Sequence, residues 1–319
     1  MAKANVTSEL LDIGDGVYAY VASSGTWGWS NAGLITDGES SLLVDTLFTI
    51  SLTQRMLDVM ARSVPAAKSI DILVNSHADG DHTWGNQLVN GAQIIATESA
   101  ADDMRRRTTT PEQTSALVAR AGELGMAGKY MSEIFAPFDF SAIELTPPNT
   151  TFTGDLVIPV GDKCVKLIEL GPAHSRGDLV VYAPDDRVAF VADLLFVGAH
   201  PLVWAGPISN WIGACDRILK LDVDVIVPGH GQVIDKAGMI EFRDYLVYID
   251  NEARRLHQLE RTVEQAAREI DLSAYAAWGN PERIVVAIDT TYRELNNDTS
   301  SPDRLPLFGA MGELAGNGR

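Results

Sequence analysis

The amino-acid sequence predicts an α/β protein in which two packed sheets are flanked by helices. Two observations carry this prediction. The chain contains two successive blocks of short apolar, β-branched runs, each followed by stretches with helical spacing. It is also apolar enough for a large core, because 46% of its 319 residues are hydrophobic, and a chain of this length buries roughly three quarters of its unfolded surface.

The first block predicts five strands and three helices. Its strands are short apolar runs bounded by Gly, Asn or polar residues, at residues 17–21, 32–36, 42–45, 72–74 and 93–96. Its helices place apolar residues at helical spacing, as Leu52, Met56 and Met60 do. These helices are predicted at residues 51–62, 98–107 and 111–126, and the stretch from there to residue 148 is predicted to be irregular.

The second block repeats this order. Its strands are predicted at residues 156–160, 164–170, 179–182, 188–192 and 225–227, with one helix at 211–221. Beyond residue 235 the pattern is mostly helical. The tail from residue 297 is rich in turn residues and glycine, which predicts a poorly ordered terminus or a lid. We expect residues 1–235 to form one domain and residues 236–319 a helical extension packed on it.

Composition excludes several classes of function. The formal charge of -18, with no basic run, argues against nucleic acid as a partner. The two cysteines, Cys164 and Cys215, show no CxxC spacing, so we expect buried core thiols in a reducing compartment. The first residues lack the apolar stretch of a signal peptide, and no uncharged run is long enough to span a membrane. We therefore expect a cytoplasmic protein with no membrane partner.

The strongest chemical signal follows the predicted strand at 72–74. The loop contains two imidazoles and two carboxylates, those of His77, Asp79, Asp81 and His82, and Gly80 gives it freedom to turn into a helix. A loop between a strand end and a helix is a place where ligands converge. A solvated turn with an Asp helix cap is the plain alternative, but it leaves both histidines unexplained.

The other histidines fall in a related pattern. His174 and His230 also follow apolar runs, so that four of the six histidines end such runs, and Asp193 ends another. Imidazole and carboxylate are the usual ligands of borderline and hard divalent metals, and strand-end loops on one edge of a sheet can build a two-metal site. A further residue, His200, is a candidate for lining the pocket.

At this point the chain resembles a known family. The motifs HADGDH, GPAHSRGD, VADLLF and VPGHG, in that order, resemble the ligand motifs of the metallo-β-lactamase fold superfamily over about residues 10–235. The resemblance implies an αββα four-layer sandwich with two metals at one edge of the sheets, to which this chain adds C-terminal helices. The opening GWSNAGLI, Asp45 in LLVDT, and residues 143–149 look most similar to the branch of polyketide cyclase- and thioesterase-like hydrolases.

The resemblance also implies a ligand set. Carried over position by position, the first metal takes His77, Asp79 and His174; the second takes Asp81, His82 and His230; and Asp193 bridges them. The chain departs from the usual HxHxDH by having Asp79 at the second histidine. A carboxylate there is a harder donor and favours manganese or iron over zinc, as in flavo-diiron members, which carry an acidic residue at this position. Alternatively, Asp79 does not ligate and the first site is weak or empty.

These ligands predict a hydrolase. A metal-bound hydroxide shared by two ions needs no protein nucleophile, and the chain has neither a GxSxG elbow nor a cysteine beside the histidine motifs. Asp81 would both bind metal and orient the hydroxide. Aromatic rings near the motifs predict an apolar pocket for a small molecule. The substrate-binding candidates are Trp27, Trp29, Trp84, Phe196, His200 and Trp204.

The charge of the chain and the lack of basic residues beside the motifs favour a neutral or aromatic substrate, namely an ester, lactone, thioester or activated aryl ether. Two alternatives stay open. One is a diiron oxygenase or other diiron redox enzyme, suggested by Asp79, although the chain has too little room for a flavin domain after residue 235. The other is a subunit of a homo- or hetero-oligomer that assembles through the C-terminal helices, with an obligate partner.

Overall fold

Two sheets, built from twelve strands of the described chain, stack at the centre of the molecule. The computed structural model describes residues 6–89, 91–106, 110–300 and 302–316. The strands are β1 Ser8–Gly14, β2 Val17–Ala22, β3 Ala32–Asp37, β4 Ser40–Val44, β5 Ile72–Val74, β6 Gln93–Thr97, β7 Thr150–Phe152, β8 Asp155–Val160, β9 Lys163–Glu169, β10 Leu179–Ala183, β11 Val188–Phe196 and β12 Val225–His230. The first seven strands form one sheet in sequence order, and the other five form the second in the order β12-β11-β10-β9-β8.

Helices cover the outer faces of both sheets. The α-helices of the described residues are α1 Ile50–Ser63, α2 Gly80–Thr83, α3 Glu98–Arg105, α4 Pro111–Ala119, α5 Gly125–Phe135, α6 Ile208–Leu219, α7 Lys236–Gln258, α8 Val263–Glu269, α9 Ile284–Leu295 and α10 Arg304–Gly316. The first sheet is antiparallel from β1 to β4 and parallel from β4 to β7. Parallel neighbours need a crossover connection, and α1 provides it between β4 and β5.

Three apolar clusters account for the layers. Residues such as Ile35, Leu167 and Val181 fill the space between the two sheets. Met56 and Met60 of α1 pack on the outer face of the first sheet, whereas α6 and α7 contact the second sheet and α9 packs on α7 within a larger cluster. This is the four-layer αββα arrangement with C-terminal helices, so the predicted fold class is confirmed.

The topology brings the carboxyl ends of four strands to one edge. Strands β4 and β5 are parallel neighbours in the first sheet, and β11 and β12 are parallel neighbours in the second. Asp45 directly follows β4, the histidine-rich loop follows β5, Asp193 lies within β11 just after its register shift at Ala192, and His230 ends β12. The edge where the candidate residues gather is therefore a consequence of these two parallel pairs.

Several element predictions were wrong. Strands β1 and β7 were not predicted, because their residues are half-exposed and lack a continuous apolar run. The predicted helix at 111–126 ends at Ala119, and a new helix, α5, occupies part of the stretch expected to be irregular. Gly125, with φ of +56°, takes the left-handed conformation that separates the two helices.

The tail and one cysteine also need correction. Residues 304–316, expected to be poorly ordered or a lid, form α10, whose buried Met311 and Leu314 face the core. Cys164, expected in the core, is exposed, whereas Cys215 is buried. Cys164 lies in β9, where burial alternates, so it points to the solvent side. Residue 107 of one predicted helix and residues 317–319 lie outside the described residues.

The C-terminal helices α7, α9 and α10 pack on the second sheet and on α5 and α6 through a continuous apolar cluster. Within the described residues, no helix is both long and apolar enough to cross a membrane.

Candidate metal centre

The first ligand group is built from the loop after β5 and the loop after β9. The Nε2 atom of His174 lies 3.1 Å from Oδ2 of Asp79, and the Nε2 atom of His77 lies 3.8 Å from the same oxygen. Both histidines are buried, while the Asp79 side chain is 33% exposed. Two imidazoles and one carboxylate therefore converge as the sequence predicts for a first metal.

The second ligand group combines α2 with the end of β12. The Nε2 atom of His230 lies 3.4 Å from Oδ2 of Asp81, and the Nε2 atom of His82 lies 4.0 Å from that oxygen. The Asp81 side chain is 15% exposed, and both imidazoles are buried. This group has the same donors as the first, two imidazoles and one carboxylate.

The carboxylate of Asp193 divides its two oxygens between the groups. Oδ2 lies 3.9 Å from Nε2 of His77 and 3.4 Å from Nε2 of His174. Oδ1 lies 3.0 Å from Nε2 of His82 and 3.4 Å from Nε2 of His230. Each oxygen faces one group, which is the arrangement that a bridging ligand requires.

Two features of the backbone aim Asp193 at this position. The register of β11 against β12 shifts at Ala192, where φ is +45°, and such an irregularity redirects the next side chain. On β12, Gly229 approaches so closely that a Cβ atom there would lie 2.0 Å from Oδ1 of Asp193. Any residue with a Cβ atom at position 229 would displace the Asp193 carboxylate, so this position requires glycine.

The Nδ1 atoms of three ligands donate hydrogen bonds to defined acceptors. The acceptors are Oδ2 of Asp45 for His82, at 2.9 Å, the carbonyl of Leu202 for His174, at 2.7 Å, and the carbonyl of Trp29 for His230, at 3.1 Å. Because these acceptors require a proton on Nδ1, the Nε2 atoms are the ones presented to the centre.

Asp45 and Ser76 orient the remaining histidine. The hydroxyl of Ser76 donates to Oδ2 of Asp45 at 2.6 Å and lies 2.9 Å from Nδ1 of His77. Since the one hydroxyl proton goes to the carboxylate, Ser76 accepts from Nδ1 of His77. Asp45, held in a left-handed conformation with φ of +62°, thus supports one histidine of each group. Sequence reasoning noted Asp45 but did not assign it this role, and it missed Ser76.

Charge interactions in the centre oppose the effect of burial. Burial lowers the pKa of His77 to about 4. Burial would also lower the pKa of His174, but the charges of Asp193 and Asp79 outweigh it and raise the pKa to about 9. For Asp193, burial raises the pKa, but the nearby histidines, His230 foremost, hold it well below its usual range. The carboxylates are therefore ionised and attract cations, which are protons or metal ions.

The donor set fits two metal ions. Three groups of histidine and carboxylate atoms are close enough to hold an ion, and together they contain all seven predicted ligands. Three buried atoms at the centre, Nε2 of His77, Nε2 of His82 and Oδ1 of Asp193, have no hydrogen-bond partner in the described structure. Buried polar atoms without partners are costly, and metal ions would satisfy them.

The predicted substrate-binding residues lie in different surroundings. The ring of Phe196 stacks on His230 with centroids 5.0 Å apart, and Trp29 packs against Phe138 at 5.2 Å. Trp84 is buried against Phe48 and Phe140. Nδ1 of His200 lies 2.8 Å from the hydroxyl of Tyr245 on α7. These positions do not test the roles, which stay predictions.

Two arginines from the C-terminal region lie near the centre, and sequence reasoning missed both. The guanidinium of Arg283 lies over the ring of Trp27 at 4.7 Å, and that of Arg304 over the ring of Trp204 at 4.5 Å. The charges of Asp193 and Asp81 act on Arg283, and that of Arg304 acts on Asp79. No motif marks these arginines, and both are distant in the chain from the histidine and aspartate motifs.

Comparison with known sequences agrees with this geometry. The model of the Metallo-beta-lactamase superfamily matches residues 25–230. The chain is 25% identical over 238 residues to 2,4-dinitroanisole O-demethylase subunit alpha of Nocardioides sp., covering 72% of this chain and 57% of the relative. It is 24% identical over 217 residues to acyl-coenzyme A thioesterase MBLAC2 of Bos taurus, covering 63% of this chain and 72% of the relative.

A third relative is the linear primary-alkylsulfatase of Pseudomonas sp., which is 22% identical over 275 residues, or 78% of this chain and 51% of the relative. This chain thus spans little more than half the length of two of these relatives.

Solved structures share the fold. The sec-alkylsulfatase Pisa1 from Pseudomonas sp. superposes with a TM-score of 0.66 at 16% identity, covering 94% of this chain and 52% of that chain. A metallo-beta-lactamase from Pontibacter korlensis gives a TM-score of 0.57 at 18% identity, covering 75% and 99%. With its αββα fold, its converging histidine and aspartate side chains and a family match across most of its length, the chain belongs to the metallo-beta-lactamase superfamily.

Proposed function

We propose that this chain is a hydrolase with a dinuclear metal centre that cleaves an ester, lactone, thioester or activated aryl ether of a substrate with an apolar or aromatic body. The observation that carries the proposal is the position of the Asp193 carboxylate, whose two oxygens face two equivalent ligand groups. When bound, two metal ions supply an activated water molecule and polarise the substrate oxygen.

The residues of the chain have distinct parts in this proposal. His77, Asp79 and His174 would hold one ion, and Asp81, His82 and His230 the other, with Asp193 between them. Asp81, whose Oδ2 lies 3.4 Å from Nε2 of His230, would also orient the attacking water. Because the Nδ1 atoms bond to protein acceptors, the imidazoles keep their ring orientation and their donor atoms stay directed inward.

We propose manganese or iron, rather than zinc, as the resident metal. Asp79 lies 3.1 Å from His174 in the place where a third imidazole is usual, and its oxygen donor is harder than the nitrogen it replaces. Each ion would then have two nitrogen donors, one carboxylate of its own and one oxygen of Asp193. This balance of donors suits a harder metal.

The relatives support the choice of bonds. Their names describe an O-demethylase of 2,4-dinitroanisole, an acyl-coenzyme A thioesterase and an alkylsulfatase. These activities cleave an aryl ether, a thioester and a sulfate ester. Aromatic rings near the centre, including Trp27 and Phe308 at a centroid distance of 5.7 Å, offer apolar surface for the body of a substrate.

A panel of chromogenic substrates tests the proposal. The metal-loaded protein is assayed with 4-nitrophenyl acetate, an acyl thioester, an aryl lactone and 2,4-dinitroanisole, beside Asp193→Ala and a control, Asp222→Ala, whose carboxylate is largely exposed. We expect turnover of at least one substrate that the control retains and Asp193→Ala loses. Turnover that is equal in Asp193→Ala would contradict the proposal.

Two further readings are outcomes of the same experiment. Oxygen uptake by an iron-loaded preparation, without hydrolysis, would favour a diiron oxygenase. The relative from Nocardioides is named a subunit, so the mass of the purified protein in solution is measured beside activity. Hydrolysis that appears only with a second polypeptide from the source cells would place the hydrolytic centre in a hetero-oligomer.

A further inference from the structure

Arg283 is a buried arginine that forms no ion pair with any of the described residues. Its side chain, just before α9, is 1% exposed. Nη1 donates to the carbonyl of His200 at 3.1 Å, but Nε is buried with no acceptor, and no carboxylate of the described residues is within salt-bridge distance. A buried charge is costly unless it is paired, so this guanidinium has unused capacity to bind an anion.

Another arginine of the C-terminal region makes the contrast clear. Arg254 on α7 donates from Nε to Asp250 at 2.9 Å and from Nη2 to Glu294 at 3.0 Å. Its charge is paired and 30% exposed. Arg254 thus has two carboxylates in place, whereas Arg283 has none within salt-bridge distance among the described residues.

Arg283 lies one ring away from the metal centre. The guanidinium carbon is 5.9 Å from the ring centroid of Phe196, which stacks on His230 and lies 5.7 Å from the ring of His174. Asp193 and Asp81 act electrostatically on it from beyond ion-pair distance. The ring of Phe196 therefore neighbours both Arg283 and one predicted ligand of each ion, His174 and His230.

A hydrogen-bond network fixes the aromatic ring that packs on the guanidinium. The guanidinium lies 4.7 Å from the ring of Trp27, whose Nε1 donates to the hydroxyl of Tyr130 at 3.0 Å. Tyr130 in turn donates to Oε1 of Glu282 at 2.7 Å. This network fixes Trp27 and uses the Glu282 carboxylate, so Arg283 is preorganised rather than free to move.

The charge balance near Arg283 changes when metals bind. In the protein alone, three carboxylates, Asp79, Asp81 and Asp193, make the centre negative. Two divalent ions bring more positive charge than these carboxylates neutralise. The loaded centre therefore no longer offsets the charge of Arg283. Arg304, exposed at the start of α10 and stacked on Trp204, adds a second positive charge near Asp79.

We propose that Arg283 binds a carboxylate group of the substrate beside the metal centre, with Arg304 assisting at the rim. This inference rests on the proposed function and adds to it a substrate class, an ester or related compound that carries a carboxylate on an apolar or aromatic body, in place of the neutral substrate expected from the sequence. The planar guanidinium matches a carboxylate in two parallel hydrogen bonds. Trp27 and Phe308 supply apolar surface for the body.

Binding of benzoate and its neutral isostere benzamide tests the proposal by calorimetry, without any need for turnover. Wild-type protein should bind benzoate more tightly than benzamide. Arg283→Met should weaken benzoate binding by about 10- to 100-fold, the effect of losing a charged hydrogen bond, and leave benzamide binding unchanged. The affinity of Arg283→Lys for benzoate should lie between those of the wild type and Arg283→Met. The matched control, Arg254→Met, should bind benzoate like the wild type.

Metal content and thermal stability are measured on the same variants. If Arg283→Met does not fold, the comparison of benzoate with benzamide in the wild type and Arg283→Lys decides the matter. Equal affinity of benzoate for wild type and Arg283 variants would overturn the proposal and show that the carboxylate binds the metals alone. Benzoate binding that depends on Arg283, in a protein that hydrolyses nothing on the panel, would retain this subsite and reject the proposed hydrolase function.

Discussion

The two ligand groups of the centre have the same donors but different supports. Each consists of two imidazoles, one aspartate and one oxygen of Asp193. In the second group, Asp45 contacts His82 directly, whereas in the first group it reaches His77 only through Ser76. The first group is also more open, because Asp79 is 33% exposed and Asp81 only 15%.

This difference teaches how the substitution at Asp79 changes the centre. A third histidine would make the first group richer in nitrogen than the second, whereas Asp79 makes them equivalent in donor type. Equivalent donors predict that one kind of metal occupies both positions. The weaker support and greater exposure of the first group predict that its ion exchanges more readily.

Removal of Asp193 should have the largest effect, since it belongs to both groups. We expect Asp193→Ala to bind less than one metal per chain and to lose activity by at least about 10³-fold, because metal ions lower the barrier by several kcal/mol. Metal analysis and initial rates check this. A variant that keeps both ions and its activity would contradict the two-metal interpretation.

Asp79→His should break the equivalence of the groups. A third imidazole in the first group favours zinc over manganese or iron. Competition between zinc and manganese for the metal-free protein, followed by metal analysis, should show zinc enriched at the first position. Asp222→Ala is the control. If metal selectivity and activity both stay unchanged, Asp79 is not a ligand.

Asp45→Ala should weaken both groups without removing a ligand. Loss of an outer hydrogen-bond partner lowers metal affinity by about 10- to 100-fold, and Asp45 supports His82 and, through Ser76, His77. Titration of metal-free protein with manganese checks the expected fall in both binding steps. A fall in neither step would show that the orientation of the histidines is set elsewhere.

Ser76→Ala should cause the smallest loss of metal affinity, and it should affect only one of the two ligand groups. It removes the acceptor of His77 Nδ1 but leaves the bond between Asp45 and His82. We expect metal binding at the first position to weaken by less than the about 10- to 100-fold expected for Asp45→Ala. Metal binding at the second position should not change. The same manganese titration measures both affinities. An equal loss of affinity at both positions would show that the two ligand groups do not differ in their hydrogen-bond support.

The sequence predicted those parts of the molecule that depend on local pattern. Continuous apolar runs identified buried strands such as β10 and β11, and the motifs named seven candidate ligands whose side chains converge in the structure. Half-exposed strands β1 and β7 lacked that pattern. No motif marks Arg283, because its contact with His200 joins residues that are distant in the chain. No motif marks Ser76, because it acts on His77 through a single hydroxyl.

The metal content of protein purified without added metal or chelator shows whether two ions share Asp193. We expect close to two equivalents of iron or manganese per chain, with loss of both in Asp193→Ala. Two equivalents of zinc would retain the dinuclear centre and reject the effect assigned to Asp79. One equivalent or none, in protein that is folded and active, would contradict the claim that two ions share Asp193.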